Sequence, residues 1–203
     1  MSRVVDKQFI FGEAEKVVFR KLMRTLEFFC GVEVVTYSLM SNHFHLLVRV
    51  PGDEPVPDEV LYARLEGLYG YNKMQLVRRE IDRLEADGHG AEAQAVRMKY
   101  LRRMRDVSVF MKELKQGFSV WYNHENDRCG TLWEGRFRCV LVQNDPRVLT
   151  IVAAYIDLNA VRAGMADQPE DYAFCGIGEA MAGGALARER LGRLCPQDAG
   201  NGW

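Results

Sequence analysis

Two apolar strands are predicted to meet at the stretch Ser41-Asn42-His43-Phe44-His45-Leu46-Leu47-Val48. Apolar residues dominate segments 32–40 and 46–50, which is typical of strands buried in a sheet. The short polar step between the two segments predicts a β-hairpin with both histidines at the start of its second strand. Because side chains alternate along a strand, His43 and His45 are expected on one face, with Cα atoms about 6–7 Å apart.

These two histidines are a candidate metal site. Imidazole nitrogens bind divalent cations, and two imidazoles at this spacing can hold one ion jointly. The alternative is that His43 and His45 lie on the solvated face of a half-buried strand and bind nothing. The apolar character of the strand around them favours the metal site.

The order of the elements around the hairpin predicts the fold class. Loose alternation over residues 3–11 predicts a first strand, and apolar residues at helical spacing from Glu13 to Cys30 predict a helix that ends at Gly31. Strand, helix, strand, strand is the first half of a ferredoxin-like βαββαβ sandwich. We therefore predict an α+β protein with a ferredoxin-like antiparallel sheet, flanking helices and a helical insertion.

The rest of the chain is predicted to complete this fold. Residues 1–175 are expected to form one domain, followed by a C-terminal extension over residues 176–203 whose last nine residues are a frayed tail. The predicted elements are two or three inserted helices within about 52–106, a core helix at 107–123, a fourth strand at 137–142 and a last helix at 147–161.

Composition limits the class of protein. The 203 residues are 48% hydrophobic, which is enough for one domain with an insertion. No apolar run approaches the ~20 residues of a membrane span, and the first residues have no apolar signal core, so we expect a cytoplasmic protein with no membrane partner. The five cysteines are scattered without C-x-x-C spacing, which predicts reduced thiols.

Charge is unevenly distributed along the chain. The net charge is only −1, but residues 97–138 contain ten Lys or Arg against five Asp or Glu, a net of +5. Residues 58–96 contain five basic and eight acidic residues, a net of −3. The local basic segment is compatible with a DNA-binding face.

The last predicted helix carries two polar residues one turn apart. Tyr155 and Asn159 are four residues apart and are expected on one helix face. The amide oxygen of Asn159 could complete the coordination of Mg²⁺ or Mn²⁺, which would bring the Tyr155 phenol beside a metal-bound phosphate. A phenol with a free pKa near 10 needs such activation to act as a nucleophile. The alternative is that Tyr155 is a core aromatic.

Basic residues near the predicted fourth strand are candidate DNA ligands. Arg136 and Arg138 are expected on one face of that strand, and Lys112 and Lys115 on the preceding helix, where all four could contact phosphates. Trp133 is either a platform for an unpaired base or a core residue, and the sequence leaves both open.

Three blocks, residues 37–48, 130–137 and 154–164, resemble the REP-associated tyrosine transposases. These are relatives of insertion-sequence transposases with a His-hydrophobic-His motif and a single tyrosine. The blocks occur in the family's order, although Ala160 stands where the family usually has proline and the insertion is longer than in compact members.

The resemblance implies an RRM-like antiparallel sheet flanked by helices. It also implies an enzyme that cleaves and rejoins single-stranded DNA folded into hairpins. It makes His43 and His45 the metal pair, Asn159 a metal-binding amide and Tyr155 the nucleophile that forms a 5′-phosphotyrosine link. The cofactor would be Mg²⁺ or Mn²⁺, and the transposase would be a monomer or homodimer. The alternatives are a non-catalytic RRM-like nucleic-acid-binding module and a hydrolase that uses water as the nucleophile.

Overall fold

The computed structural model describes residues 1–52 and 54–194. Within them lie three strands, β1 (Ser2–Arg3), β2 (Glu33–Leu39) and β3 (His43–Arg49). The helices are α1 (Glu13–Cys30), α2 (Asp58–Tyr69), α3 (Tyr71–Ala86), α4 (Gly90–Leu101), α5 (Val107–Glu125), α6 (Pro146–Asp157), α7 (Asn159–Arg162), α8 (Gly176–Met181) and α9 (Ala185–Gly192). The predicted α+β class is confirmed.

The strands form one antiparallel sheet in the order β1-β3-β2. In the pairing of β1 with β3, Ser2 is opposite Phe44 and Arg3 is opposite His43. This strand order is compatible with the predicted ferredoxin-like sandwich. The hairpin of β2 and β3 is confirmed, with the two histidines at the start of its second strand.

The chain divides into two compact units. Among the described residues, one, the sheet unit, contains residues 1–20, 34–49 and 121–194. The other, the helical unit, contains residues 21–33 and 50–120. Residues 176–194 lie in the sheet unit, and the boundary between a domain and a C-terminal extension after residue 175 stays a prediction. The predicted tail at 195–203 lies outside the described residues.

The helical unit contains α2, α3 and α4, in the region where the sequence predicted two or three inserted helices. Helix α3 packs against both α2 and α4. Arg97 on α4 joins two acidic side chains, with one guanidinium nitrogen 2.8 Å from Asp58 and also 2.8 Å from Glu85. Fully buried side chains form the unit's interior: Leu61, Leu65, Ile81, Phe110, Leu114 and Phe118.

The predicted first strand was too long. Only Ser2 and Arg3 pair as a strand, because the chain then turns through a 3-10 segment in which Asp6 and Lys7 both adopt φ of 53°. A left-handed backbone cannot continue a strand. The helix prediction at Glu13–Cys30 was correct, and its end at Gly31 coincides with a φ of +61°.

The predicted fourth strand is not a regular strand. Residues 137–142 are irregular, yet the preceding backbone follows the free edge of β1 through separate hydrogen bonds. The amide of Val5 donates to Leu132 at 2.9 Å, and that of Glu134 donates to Arg3 at 3.0 Å. Gaps between these bonds prevent a continuous ladder, which explains the missing strand.

The last predicted helix is broken. Helix α6 ends at Asp157, and the separate short helix α7 begins at Asn159 after Leu158. Its predicted start was correct, because the Asp145 side chain accepts hydrogen bonds from the first-turn amides of Arg147 and Val148. Among the described residues, no helix has the length and apolar character needed to cross a membrane.

Candidate active site

The histidine pair lies on one face of β3, as the alternation of the strand predicted. The ring centroids of His43 and His45 are 5.1 Å apart, and the rings are inclined at 79°. Phe44 points to the opposite face, where its ring centroid is 4.7 Å from that of Phe19 on α1. The buried phenylalanine thus fixes the strand, and the half-buried imidazoles face outward from the sheet.

A hydrogen-bonded chain sets the tautomer of His43. The amide nitrogen of Asn42 donates to the carbonyl of Lys7 at 3.1 Å, which turns its amide oxygen toward His43. That oxygen lies 2.7 Å from Nδ1 of His43 and can only accept a hydrogen bond, so Nδ1 carries the proton. The lone pair of His43 is consequently on Nε2, where a cation can bind.

Both imidazoles are held in the neutral state that metal binding requires. Burial lowers the pKa of His43, and the positive charge of Arg3 and of the N-terminal ammonium lowers it further. The pKa of His45 is lowered to about 4, first by burial and then by the charge of His43. At neutral pH each ring is therefore neutral, so one of its two nitrogens has a lone pair that can bind a cation.

The lowered pKa of His45 predicts a pH-dependent stability. Between pH 6.5 and about 4 the unfolded state binds a proton at this position and the native state does not, so stability falls as pH falls through this window. Between pH 7 and pH 5, with a chelator present, the unfolding free energy of wild type should fall by about 1 kcal/mol more than that of His45→Gln. This is half of the decrease that the pKa shift alone would give, because the ring is partly exposed to solvent. Urea unfolding at the two pH values measures this, and parallel decreases in both proteins would contradict it.

Helix α6 lies on the histidine face of the sheet. Leu47 is two positions beyond His45 on the same face of β3, and it forms an apolar cluster with Ala153 and Ile156 of α6. Tyr155 lies between these two helix residues in sequence. The sheet unit therefore brings the tyrosine-bearing helix to the strand face that carries both histidines.

Tyr155 is an exposed residue and not a core aromatic. Its side chain is 51% exposed, although Ile156 next to it is buried. The guanidinium of Arg162 lies 4.4 Å from the centre of the phenol ring, a cation–π contact that holds the ring at the surface. The phenol is accessible to a substrate, and a positive charge lies beside it.

Asn159 has its amide nitrogen occupied and its oxygen directed elsewhere. The nitrogen donates to the carbonyls of Tyr155 and Ile156, both at 3.1 Å. This fixes the side chain across the break between α6 and α7. The amide oxygen, the atom that could bind a cation, takes no part in these two bonds.

A cleft of about 190 Å³ lies between the start of the chain at β1 and the segment 134–138. Arg3 lines it and is opposite His43 in the sheet, so its side chain shares the face of His43. Arg136 and Arg138 also line the cleft, although the fourth strand on which they were predicted to share a face is absent from the described residues. Three guanidinium groups around one cleft attract phosphates, although Glu134 contributes one negative charge.

Trp133 is a core residue, which decides between the two roles left open for it. Its side chain is 7% exposed, and its ring meets Phe44 edge-to-face at a centroid distance of 5.6 Å. A buried ring cannot serve as a platform for an unpaired base. Lys112 and Lys115 belong to the helical unit, where Lys112 is exposed and burial lowers the pKa of Lys115.

The side chains of the site supply only part of the ligand set that a divalent cation needs. Among residues 1–52 and 54–194, no group of three or more His, Cys, Asp or Glu side chains is arranged to hold a metal ion. Two neutral imidazoles would thus need an amide oxygen, such as that of Asn159, and oxygen ligands from a substrate or water.

Comparisons with protein-family models, characterised proteins and solved structures give no significant match to this chain.

Three residues of the candidate site were not predicted from the sequence. Arg162 is seven residues after Tyr155, a spacing that indicates a shared helix face and could have revealed it. Asn42 directly precedes the first histidine, whereas Arg3 joins the site only through strand pairing that no local pattern shows.

Proposed function

We propose that this protein is a metal-dependent, single-stranded DNA transposase that cleaves and rejoins DNA through a 5′-phosphotyrosine intermediate. The observation that carries the proposal is that α6, with its exposed Tyr155, packs on the same face of β3 as His43 and His45. A nucleophile, a cation-binding pair and an arginine-lined cleft in one unit are the parts that phosphodiester transfer requires. The proposed fold of this unit is the ferredoxin-like sheet of the family that the sequence resembles.

The roles of the residues in this proposal are those that the family resemblance implies. His43, His45 and Asn159 would hold Mg²⁺ or Mn²⁺. When bound, the cation withdraws charge from the scissile phosphate. Arg162, beside the phenol, places a further positive charge where the phosphate would approach.

The reaction consists of two balanced transesterifications. The Tyr155 oxygen forms a bond to the phosphorus and gives up its proton, the bond from phosphorus to the 3′ oxygen breaks, and that oxygen takes a proton to become a free 3′-hydroxyl. In the second step a 3′-hydroxyl attacks the phosphotyrosine, and the phenol is released. The number of phosphoester bonds is conserved, so no nucleotide cofactor is needed. The 5′ polarity is taken from the family resemblance.

The proposal is tested by incubating the protein with single-stranded DNA labelled at its 3′ end, taken from the flanks of its own gene and including predicted hairpins, and Mn²⁺. A labelled species that migrates with the protein on a denaturing gel supports it. Cleavage without any adduct would favour a hydrolase that uses water, and binding without cleavage would favour an RRM-like binding module.

The cleft arginines are expected to contact the DNA backbone. Each phosphate contact adds about 0.7 to the slope of log affinity against log salt for single strands. Arg136→Ala with Arg138→Ala should therefore lower the slope by about 1.4 and weaken binding, as measured by fluorescence anisotropy at several salt concentrations. Removing the same charge from α3 with Arg79→Ala and Arg83→Ala is the matched control. A larger loss of slope in the control would move the binding face to the helical unit.

A further inference from the structure

A buried carboxylate anchors helix α6 at the end that follows Tyr155. Asp157 is only 5% exposed, and the Thr36 hydroxyl of β2 donates to its two oxygens at 2.8 and 3.0 Å. The backbone amide of Ile177 donates to the same carboxylate at 3.3 Å. One side chain thus connects α6, strand β2 and the start of α8.

Nothing in the helix itself favours an acidic residue here. A negative charge at the last residue of a helix is unfavourable, because it lies at the negative end of the helix dipole. Burial raises the pKa of Asp157, whereas the hydrogen bonds from Thr36 and from the amides of Ile177 and Gly176 lower it. The buried carboxylate is tolerated because the Thr36 hydroxyl and the Ile177 amide donate hydrogen bonds to it. Because the buried carboxylate is stable only where these donors reach it, the contact fixes the position of this end of α6.

The backbone of α8 is closely fitted to this contact. A Cβ atom at Gly176 would lie 1.9 Å from the hydroxyl oxygen of Thr36, so no larger residue fits. The residues just before α8 also pair with the edge of β2. The amide of Leu39 donates to the carbonyl of Phe174 at 2.9 Å, and Ser38 forms an isolated antiparallel bridge with Cys175. The strand that leads into the histidine hairpin and the tyrosine helix are therefore attached to the same short segment.

Helix geometry links this anchor to the orientation of Tyr155. Residues two apart on an α-helix point about 200° apart, so fixing Asp157 toward the interior directs Tyr155 outward. The 51% exposure of Tyr155 agrees with this arrangement. Turning the helix by even part of a turn would change the direction in which the phenol points from the helix surface.

We propose that the contact of Thr36 with Asp157, closed by the Gly176–Ile177 backbone, is a positioning device that fixes the Tyr155 phenol relative to the histidine strand. The inference rests on the proposed function, because it assigns Asp157 and Thr36 to the alignment of that nucleophile. Neither residue touches DNA or the reacting phosphate. Their effect is on the rate of the chemical step and not on the affinity for DNA.

Thr36→Val tests this with little change in shape, because it exchanges a hydroxyl for a methyl group and keeps the β-branched side chain that suits a strand. At saturating single-stranded DNA, we expect single-turnover adduct formation to slow by roughly 10- to 100-fold, with the Kd for DNA within about twofold of wild type. Thr36→Ser restores the hydroxyl and should restore the rate. Asp167→Asn, at an exposed carboxylate, is the matched control and should behave as wild type.

A second readout does not depend on catalysis. Hydrogen exchange of the peptide spanning residues 148–162 should be faster in Thr36→Val, while that of α1 stays unchanged. Melting curves check that each variant is folded, and Asp157→Asn replaces Thr36→Val if the latter does not fold.

The outcomes separate the two proposals. Wild-type rate and wild-type exchange in a folded Thr36→Val would overturn the positioning role. A loss of DNA affinity equal to the loss of rate, not rescued by Thr36→Ser, would also overturn it, because it indicates general destabilisation. Absence of an adduct in wild type contradicts the proposed function itself, and the exchange of α6 then still shows whether the anchor holds the helix.

Discussion

Tyr155→Phe is expected to give a folded protein that binds single-stranded DNA but forms no covalent adduct with it. The substitution removes one oxygen from an exposed ring and keeps the ring under Arg162, so any lost hydrogen bond costs about 1 kcal/mol. Strand transfer should fall by several orders of magnitude, because no other group supplies the covalent bond to phosphorus. Denaturing gels with labelled DNA measure the adduct, and anisotropy measures retained binding.

Tyr122→Phe is the matched control for this experiment. Tyr122 lies near the end of α5 in the same unit, and its loss of a hydroxyl should leave the adduct yield unchanged. A wild-type adduct yield in Tyr155→Phe would show that the nucleophile has been misassigned.

The second large effect is expected at the histidine pair. His43→Ala or His45→Ala should lower cleavage by roughly 100-fold or more, since each removes one of only two imidazoles available to the cation. Both rings are partly exposed on β3, so the melting temperature should change little. Excess chelator added to wild type should reproduce the loss, and added Mn²⁺ should reverse it.

His124→Ala provides the comparison for a histidine outside the site. Its side chain is 84% exposed near the end of α5, and its removal should leave cleavage unaffected. Cleavage by wild type that continues undiminished in excess chelator would contradict the metal hypothesis.

The parts of the fold that were predictable have local causes. Apolar spacing identified α1, and the glycine at its end adopts the left-handed conformation that stops a helix. The hairpin followed from two apolar runs around a polar step. In contrast, the short β1 depends on positive φ angles at Asp6 and Lys7, and the missing fourth strand depends on how the edge of β1 is paired. Such features arise from tertiary contacts that periodicity does not record.

The candidate site was predictable to the same extent. Alternation placed His43 and His45 on one face because strand geometry alone determines it. The exposure of Tyr155 was not predictable, because an amphipathic helix can direct a tyrosine to either side and the anchor at Asp157 lies 121 residues from Thr36 in sequence. Trp133 was undecided because a tryptophan before an irregular segment can be buried or exposed, and its contact with Phe44 buries it.

The assignment of Tyr155 as the nucleophile is tested most directly by locating the covalent bond between protein and DNA. Wild-type protein is incubated with single-stranded DNA and Mn²⁺, the DNA is digested with nuclease, and the protein is cut with trypsin for mass spectrometry. Cleavage after Arg147 and Arg162 gives the peptide 148–162, in which Tyr155 is the only tyrosine. We expect a nucleotide attached to that peptide at Tyr155. A nucleotide on any other peptide, or DNA cleaved without modification of any peptide, would contradict it.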